Sequence, residues 1–206
     1  NESVEGLAID IGDIDGTPGN EVIAGGYNYD FGAAGITAYD NDGNFLWFYP
    51  TEVMDGEEIV FDIEIGDIDG DDIGDVVACS PESFPFLTIY AVNGSGYNLT
   101  GWPVEFPARS VAVGDLDGEP GMEVAAMGEF GLAVFNGSGG VMWYFDEWEI
   151  IPIPVEGIPV EIGDVEGDGD NEVVIGIGGG VLAFNGTNAD PDNPTPIYLF
   201  ETGDEV

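Results

Sequence analysis

The 206-residue sequence contains no lysine, histidine or glutamine, and Arg109 is its single basic residue. Its 42 acidic residues therefore give a formal net charge of −41. Nucleic acids and anionic membrane surfaces are excluded as partners, because the chain has almost nothing with which to neutralise phosphate. Cations are the expected partners, since adjacent carboxylates lack basic side chains to pair with. An acidic surface that only keeps the protein soluble is the alternative explanation.

The missing residue types also limit the chemistry. Cys79 is alone, so no intrachain disulfide forms, and its apolar neighbours predict a buried small hydrophobe rather than a reactive thiol. Without histidine and lysine, Ser-His-Asp, Cys-His and Schiff-base catalysis are excluded, and zinc or copper sites are disfavoured. Paired carboxylates remain, as in glycoside hydrolysis. We expect a protein that is not an enzyme, with a carbohydrate-active enzyme as a minor alternative.

No apolar stretch approaches the length of a membrane span and no segment resembles a signal peptide, so membrane insertion is not expected. Hydrophobic residues make up 44% of the chain, and 34 glycines and 13 prolines separate short apolar runs. This composition predicts a single repeat domain over residues 1–206, rich in turns.

An acidic loop recurs four times, beginning at Asp13, Asp67, Asp115 and Asp164. The spacing of about fifty residues is typical of propeller blades. Each unit contains four short runs of β-branched and aromatic residues bounded by turn residues, and the last run of the second unit is predicted over residues 99–106. The pattern predicts an all-β fold, a β-propeller of about four four-stranded antiparallel blades. The blades cover approximately residues 4–54, 58–106, 109–150 and 157–203, as a closed four-bladed ring or an open, partial array.

Each acidic loop has carboxylates at positions 1, 3 and 9 and a glycine at position 4. Oxygen ligands that alternate along a tight loop converge on one point, which suits a hard cation such as Ca²⁺. Loops two and four have Asp71 and Asp168 at position 5 and are predicted to be the most complete sites, whereas the first loop, with Thr17, is the least complete. Acidic β-turns without any metal are the alternative.

The run Gly-Asp-Ile-Asp-Gly, followed after four residues by Asp or Glu and then Val, resembles the FG-GAP (VCBS-like) repeats of integrin α-subunit propellers and many microbial secreted proteins. The resemblance covers essentially the whole chain and implies up to four Ca²⁺ sites, each in the loop between the first two strands of a blade. The ligands that it implies are Asp13, Asp15, Thr17 and Glu21; Asp67, Asp69, Asp71 and Asp75; Asp115, Asp117, Glu119 and Glu123; and Asp164, Glu166, Asp168 and Glu172.

A second recurring element is an Asn-Gly turn after the third run of units two, three and four. Asn-Gly is first of all a hairpin turn, because both residues accept positive φ. The same asparagines also begin N-x-Ser/Thr acceptors, and a fourth acceptor lies nearby. The predicted N-glycosylation sites are Asn93, Asn98, Asn136 and Asn185.

Trp47 and Trp143 follow such turns, which gives a faint resemblance to the tryptophan-docking blades of quinoprotein propellers. That family's basic and catalytic residues are missing, so we interpret both tryptophans as packing between blades. Irregular loops over residues 28–34, 80–85, 146–159 and 185–196 are the expected places for surface variation and function.

These observations predict a non-catalytic, calcium-stabilised and glycosylated propeller that is a structural subunit of an extracellular or cell-surface assembly, such as a filament or layer. Its expected partners are calcium, N-linked glycans, and either further copies of itself or a surface protein or glycan. An adhesion or ligand-binding propeller is the alternative, although binding faces usually use basic and amide side chains that are scarce here.

Overall fold

The computed structural model describes residues 4–51, 60–81, 87–128, 131–146, 159–177, 180–187 and 194–201. The described residues form strands, turns and loops and include no helix, so the all-β prediction is confirmed. It follows that no described helix is long and apolar enough to cross a membrane. The predicted loop over residues 146–159 lies almost wholly outside the described residues, as do residues 82–85 and 188–193 of two others.

The strands form four antiparallel sheets of four strands, and the strand order within each sheet follows the chain. Sheet 1 contains β1 (Val4–Gly12), β2 (Glu21–Asn28), β3 (Ala33–Tyr39) and β4 (Phe45–Pro50). Sheet 2 contains β5 (Asp62–Gly66), β6 (Asp75–Pro81), β7 (Leu87–Val92) and β8 (Val104–Glu105). Sheet 3 contains β9 (Ala108–Gly114), β10 (Glu123–Gly128), β11 (Gly131–Phe135) and β12 (Val141–Phe145). Sheet 4 contains β13 (Val160–Gly163), β14 (Glu172–Ile177), β15 (Gly180–Asn185) and β16 (Tyr198–Glu201).

Each sheet corresponds to one acidic repeat, which confirms four four-stranded units. The acidic loop joins the first two strands of every sheet, and the Asn-Gly type of turn joins the last two. In the first three of these turns, a glycine with positive φ donates its N–H to the carbonyl oxygen three residues earlier. These glycines are Gly43, Gly96 and Gly139.

The predicted bounds are wrong for the last strand of sheet 2. The run over residues 99–106 was expected to be a strand, but only Val104–Glu105 pairs with β7. The preceding residues form a turn in which Leu99 donates its N–H to the Ala91 carbonyl oxygen over 2.9 Å. Gly101 has a φ of +93° and Pro103 has no N–H to donate, so neither can continue a ladder.

The hydrophobic core lies between successive sheets. Three buried clusters join sheet 1 to sheet 2, sheet 2 to sheet 3, and sheet 3 to sheet 4. The first strands of the sheets pack in the order β1, β5, β9, β13, and the described residues show no comparable packing of β13 on β1. The described part of the chain is therefore an array of four sheets and shows no closed ring.

Alternation along a strand gives each sheet two faces. In β5, Ile63 and Ile65 point toward sheet 1, whereas Asp62 points toward sheet 3, where it accepts the Val111 N–H over 3.1 Å. We call the face toward the preceding sheet the upstream face and the other the downstream face. Cys79 is buried between sheets 2 and 3 and burial raises the pKa of its thiol, in agreement with its predicted role as a small hydrophobe.

Candidate metal centres

The first aspartate of every loop organises the loop backbone. Its Oδ1 accepts the N–H of the glycine at position 4 over 2.8 Å at Asp13 and Asp67, 2.7 Å at Asp115 and 2.6 Å at Asp164. Those four glycines have φ between +70° and +78°, a region that side-chain-bearing residues rarely adopt. The glycine at position 4 is therefore required by the tight curl of the loop.

The carboxylate at position 9 stabilises the backbone of each loop through a hydrogen bond. It is the first residue of the second strand, it is buried in all four sheets, and it accepts the backbone N–H of the residue at position 2. The donor and acceptor pairs are Ile14 to Glu21 at 3.1 Å, Ile68 to Asp75 at 3.0 Å, Leu116 to Glu123 at 2.8 Å and Val165 to Glu172 at 2.9 Å. Only part of each carboxylate's acceptor capacity is used by this bond.

Three of the four loops bring three carboxylates together, with one oxygen from each lying within 4.8 Å of the others. The groups are Asp13, Asp15 and Glu21; Asp67, Asp69 and Asp71; and Asp115, Asp117 and Glu123. Calcium–oxygen distances are about 2.3–2.6 Å, so two oxygens on opposite sides of one Ca²⁺ ion lie about twice as far apart. This separation is close to the 4.8 Å within which the gathered oxygens lie. The donor sets therefore fit a hard divalent cation.

The predicted ranking of the loops is not reproduced. The fourth loop is fully described, yet Asp164, Glu166, Asp168 and Glu172 form no such group. Hydrogen bonding by the first aspartate does not distinguish this loop, because both oxygens of Asp164 accept backbone N–H groups and so do both oxygens of Asp67.

Position 5 also fails to predict which residues gather. Of its four occupants, Asp71 belongs to a gathered group, whereas Thr17, Glu119 and Asp168 do not. The first loop gathers its carboxylates through Glu21, at position 9. The contribution of position 9 thus compensates there for the missing acid at position 5.

Burial and repulsion from neighbouring carboxylates raise the pKa of three loop residues, Asp69, Asp75 and Glu123. Burial raises the pKa of Asp75 to about 7 against the opposing effect of the Ile68 N–H, and Asp69 and Asp71 add repulsion. Burial likewise raises the pKa of Asp69 and of Glu123. The only basic side chain, Arg109, places its guanidinium carbon 5.0 Å from the Phe61 ring centroid and cannot neutralise four loops.

The first three loops also lie at the joint between their own sheet and the next. The carbonyl oxygen of the first aspartate accepts a hydrogen bond from the following sheet. The donors are Gly74 N to Asp13 at 3.0 Å, Met122 N to Asp67 at 2.8 Å and Asn171 Nδ2 to Asp115 at 2.7 Å. An ion bound in one of these three loops would therefore also stabilise an inter-sheet contact.

The Asn-Gly turns complete these joints, a role that the sequence did not reveal. A Cβ on Gly94 would overlap the carbonyl oxygen of Ile14, and one on Gly137 would overlap that of Ile68. Both glycines are thus needed for close approach between sheets as well as for the turn. Their position after each repeated asparagine was the available signal.

The three described tryptophans pack between sheets, as predicted for Trp47 and Trp143. Each donates its Nε1–H to the carbonyl oxygen of the glycine in the next sheet's Asn-Gly turn. Trp102, which the sequence analysis did not single out, does the same to Gly137 over 3.0 Å. Trp102 lies before the last strand of its sheet, whereas Trp47 and Trp143 lie within theirs, so the equivalence of the three was not evident from the sequence.

A further cluster of carboxylates lies on the first strands of the sheets, outside the acidic loops. Burial raises the pKa of Glu64 to about 7, and repulsion from Asp10, Asp62 and Glu161 adds to the effect. These side chains come from sheets 1, 2 and 4, so the first strands converge on a shared acidic region.

The predicted glycosylation sites lie at the surface. Asn98, Asn136 and Asn185 are exposed and Asn93 is half-buried. In the three Asn-Gly turns the asparagine Oδ1 accepts the backbone N–H of the acceptor Ser or Thr two residues later, over 3.1–3.2 Å. Asn98 Oδ1 instead accepts the Tyr49 hydroxyl over 2.7 Å.

No protein-family model matches the chain, and no curated protein matches its sequence. Solved structures do match its fold. A rhamnogalacturonan lyase of Bacillus licheniformis matches with a TM-score of 0.59 and 20% identity, over 93% of this chain and 42% of the lyase. The V. cholerae biofilm matrix protein Bap1 matches with a TM-score of 0.59 and 12% identity, over 95% of this chain and 61% of that protein.

A protein of unknown function from Bacteroides caccae matches with a TM-score of 0.51 and 14% identity, over 98% of this chain and 62% of that protein. This chain therefore spans between two fifths and two thirds of the length of these structures. At these identities the likeness concerns the fold alone, which is all-β with four antiparallel sheets.

Proposed function

We propose that the chain is a non-catalytic, calcium-stabilised and N-glycosylated propeller-type scaffold of FG-GAP character, and that it serves as a structural subunit of an extracellular or cell-surface assembly such as a filament or layer. The observation that carries the proposal is the gathering of three carboxylates in each of three loops that lie at the joints between sheets.

Calcium would supply positive charge that the chain itself lacks. Asp13, Asp15 and Glu21 would hold it in the first loop, Asp67, Asp69 and Asp71 in the second, and Asp115, Asp117 and Glu123 in the third. Neutralised carboxylates no longer repel one another, so the loops keep the curl in which their first aspartates accept hydrogen bonds from the next sheet. The expected role is rigidity of the whole array.

A structural role fits the rest of the molecule better than catalysis. The gathered carboxylates are largely engaged in holding their own loops, and no histidine or lysine supports them. The lyase and the biofilm matrix protein match this fold almost equally well. We assign this chain a role in an extracellular assembly because exposed asparagine acceptors and an unbalanced acidic surface suit a calcium-rich exterior.

Calcium binding is tested by isothermal titration calorimetry and thermal unfolding after treatment with EDTA. We expect Ca²⁺ to raise the melting temperature, and Asp69→Asn to weaken binding about tenfold or more, because it removes a charged ligand. Asp72→Asn is the matched control, since Asp72 lies in the same loop outside the gathered group and asparagine accepts its φ of +68°. An unchanged melting temperature in EDTA would contradict the calcium assignment.

Assembly is tested separately by negative-stain microscopy of native material, in which filaments or layers are expected. Native material containing only isolated particles would sink the structural role and leave calcium stabilisation intact.

Adhesion is the second candidate function, and one groove favours it. The groove lies between the second and third acidic loops and is lined by Asp69, Asp117 and Glu119, and by the polar Thr100 and Ser138. Such a groove could hold a hydroxyl-rich ligand through calcium and hydrogen bonds. A glycan and protein array probed with the Ca²⁺-loaded chain decides, and an array without hits counts against adhesion.

A further inference from the structure

The upstream face of sheet 1 is apolar, and no sheet formed by the described residues packs against it. On β1, Ile9 is 67% exposed and Ile11 is 59% exposed. The residue equivalent to Ile9 in sheet 2 is Ile63, which is 2% exposed because it packs on sheet 1. Two large aliphatic side chains with this exposure, adjacent on one face of a strand, indicate a surface that is suited to burial.

The same face remains apolar across the sheet. Ile11 pairs with Val22, and Ile9 pairs with Ala24, so these four side chains share one face. Val22 and Ala24 are only half-buried, although their equivalents in sheet 2 are fully buried.

Aromatic rings continue this face at the outer strand β4. Ala24 pairs with Thr37 and Thr37 pairs with Phe48, so the three side chains lie on one face of the sheet. The Phe31 ring stacks on Phe48 with centroids 4.6 Å apart. Phe31 also stacks on Phe45 at 5.5 Å. The apolar surface therefore extends from β1 to β4.

The downstream face of sheet 4 is likewise not covered by any described residue. In sheets 1 to 3, the glycine that ends the first strand lies against a β-branched side chain of the next sheet. These contacts are Gly12 with Ile65, Gly66 with Val113, and Gly114 with Ile162. Among the described residues, nothing lies within 4 Å of a Cβ on the equivalent Gly163. Val165 is 46% exposed although its equivalents Ile14 and Ile68 are buried.

We propose that a second copy of this chain docks the upstream face of its sheet 1 on the downstream face of sheet 4, as a fourth inter-sheet interface. The three interfaces inside the chain define what covers such faces, which is a four-stranded sheet of this same repeat. In this contact, Ile11 of one copy packs on Gly163 of the other copy. The contact is equivalent to that of Ile162 with Gly114 inside the chain. Identical head-to-tail contacts either close a ring of two copies or extend a filament.

This contact rests on the proposed function, because it supplies the self-association that an assembly subunit needs. Copies carrying a formal charge of −41 repel one another, so we expect docking to require Ca²⁺ or high salt. One difference from the internal interfaces is Asn41, which stands where sheets 2 to 4 have glycine and donates its Nδ2–H to the Pro18 carbonyl oxygen over 3.3 Å. The outer part of the contact is therefore looser, and Asn41→Gly should tighten it.

The test is the mass of the 206-residue chain in Ca²⁺ and moderate salt, by sedimentation velocity and light scattering. Ile11→Asp damages the sheet 1 face and Gly163→Leu fills the sheet 4 face. Neither should harm folding, because Ile11 is exposed and Gly163 has open space. Each variant alone should be monomeric, with self-association weakened at least about thirtyfold, as for loss of a central contact. An equimolar mixture should form a dimer, because it restores one intact pair of faces.

Val141→Asp is the matched control, since Val141 is 63% exposed on β12 and takes no part in either face. It should associate like the unchanged chain. Association of Ile11→Asp at the unchanged affinity would overturn the proposal while leaving an assembly function in place. A monomeric unchanged chain that calcium still stabilises would overturn self-docking, and loss of calcium stabilisation would instead overturn the proposed scaffold.

Discussion

The glycines of the Asn-Gly turns show how much depends on single residues. Gly94 lies so close to the Ile14 carbonyl oxygen that sheets 1 and 2 can approach only without a Cβ there. Gly163 has the open space that Gly94 lacks. Chemically identical substitutions at the two positions should therefore have different costs.

We predict that Gly94→Ala lowers the free energy of unfolding by about 2–4 kcal/mol, because the two sheets must move apart and lose buried contacts. Gly163→Ala should change it by less than about 0.5 kcal/mol. Urea unfolding of the two variants beside the unchanged chain measures both. Equal effects would show that the inter-sheet approach at Gly94 is not tight.

Glu64 should dominate the pH dependence of stability once the loops are filled with calcium. Burial and its acidic neighbours raise its pKa from 4.5 to about 7, so the folded chain holds a proton that the unfolded chain releases. Stability from this group is full below pH 4.5 and is lost as the pH rises through about 7.

We predict that Glu64→Gln removes this loss and adds on the order of 1 kcal/mol above neutral pH, after allowance for solvent screening. Urea unfolding in Ca²⁺ across this pH window is the measurement. Glu105→Gln, at an exposed residue of β8, is the control. An unchanged pH slope in Glu64→Gln would place the titration elsewhere.

At the scale of the element, each of the first three acidic loops has a carboxylate that holds the loop backbone and a group of carboxylates suited to binding a cation. Glu123 accepts the Leu116 N–H and also belongs to a gathered group. An amide can still accept that hydrogen bond but is a poorer calcium ligand. The two roles can therefore be separated by one substitution.

Glu123→Gln should raise the melting temperature in EDTA by a few degrees, because burial raises the pKa of Glu123 and the folded state disfavours its charge. In Ca²⁺ it should reduce the stabilisation that the ion provides. Thermal unfolding with and without Ca²⁺ measures both changes, and Glu119→Gln is the control from the same loop. A lower melting temperature in EDTA would mean that the hydrogen bond from the Leu116 N–H requires a charged acceptor at position 123.

The recurrence of the loops could be predicted from sequence, but their unequal quality could not. Carboxylate positions and the glycine at position 4 are local properties of each repeat. Whether carboxylates meet depends on side-chain directions, which is why Glu21 joins the first group and the fourth loop forms none. The last strand of sheet 2 was predicted too long for a related reason, since Leu99 and Trp102 are buried in the turn before β8 rather than in a strand.

At the scale of the whole molecule, charge opposes compactness. With 42 acidic residues and one basic residue, long-range repulsion favours expansion, and screening by any salt should relieve part of it. Site binding by Ca²⁺ adds a specific effect to this general one.

We predict that NaCl raises the melting temperature modestly, and that Ca²⁺ raises it considerably more at the same ionic strength. Mg²⁺ should fall between them, because it keeps its water more tightly and fits flexible carboxylate loops less well. Differential scanning calorimetry in the three salts measures the order. Equal effects of CaCl₂ and MgCl₂ would indicate screening rather than site binding.

The sequence by itself determined the all-β class, the four units, the place of the acidic loops and the shortage of counter-charge, because all of these are local or compositional. Only the tertiary structure decided which residues are covered. Ile9 and Ile63 occupy the same position in two locally similar segments, IDIGDIDG and IEIGDIDG, yet one is exposed and the other is buried. The difference arises because burial comes from the neighbouring sheet, and within the described part of the chain no sheet lies on the upstream side of sheet 1.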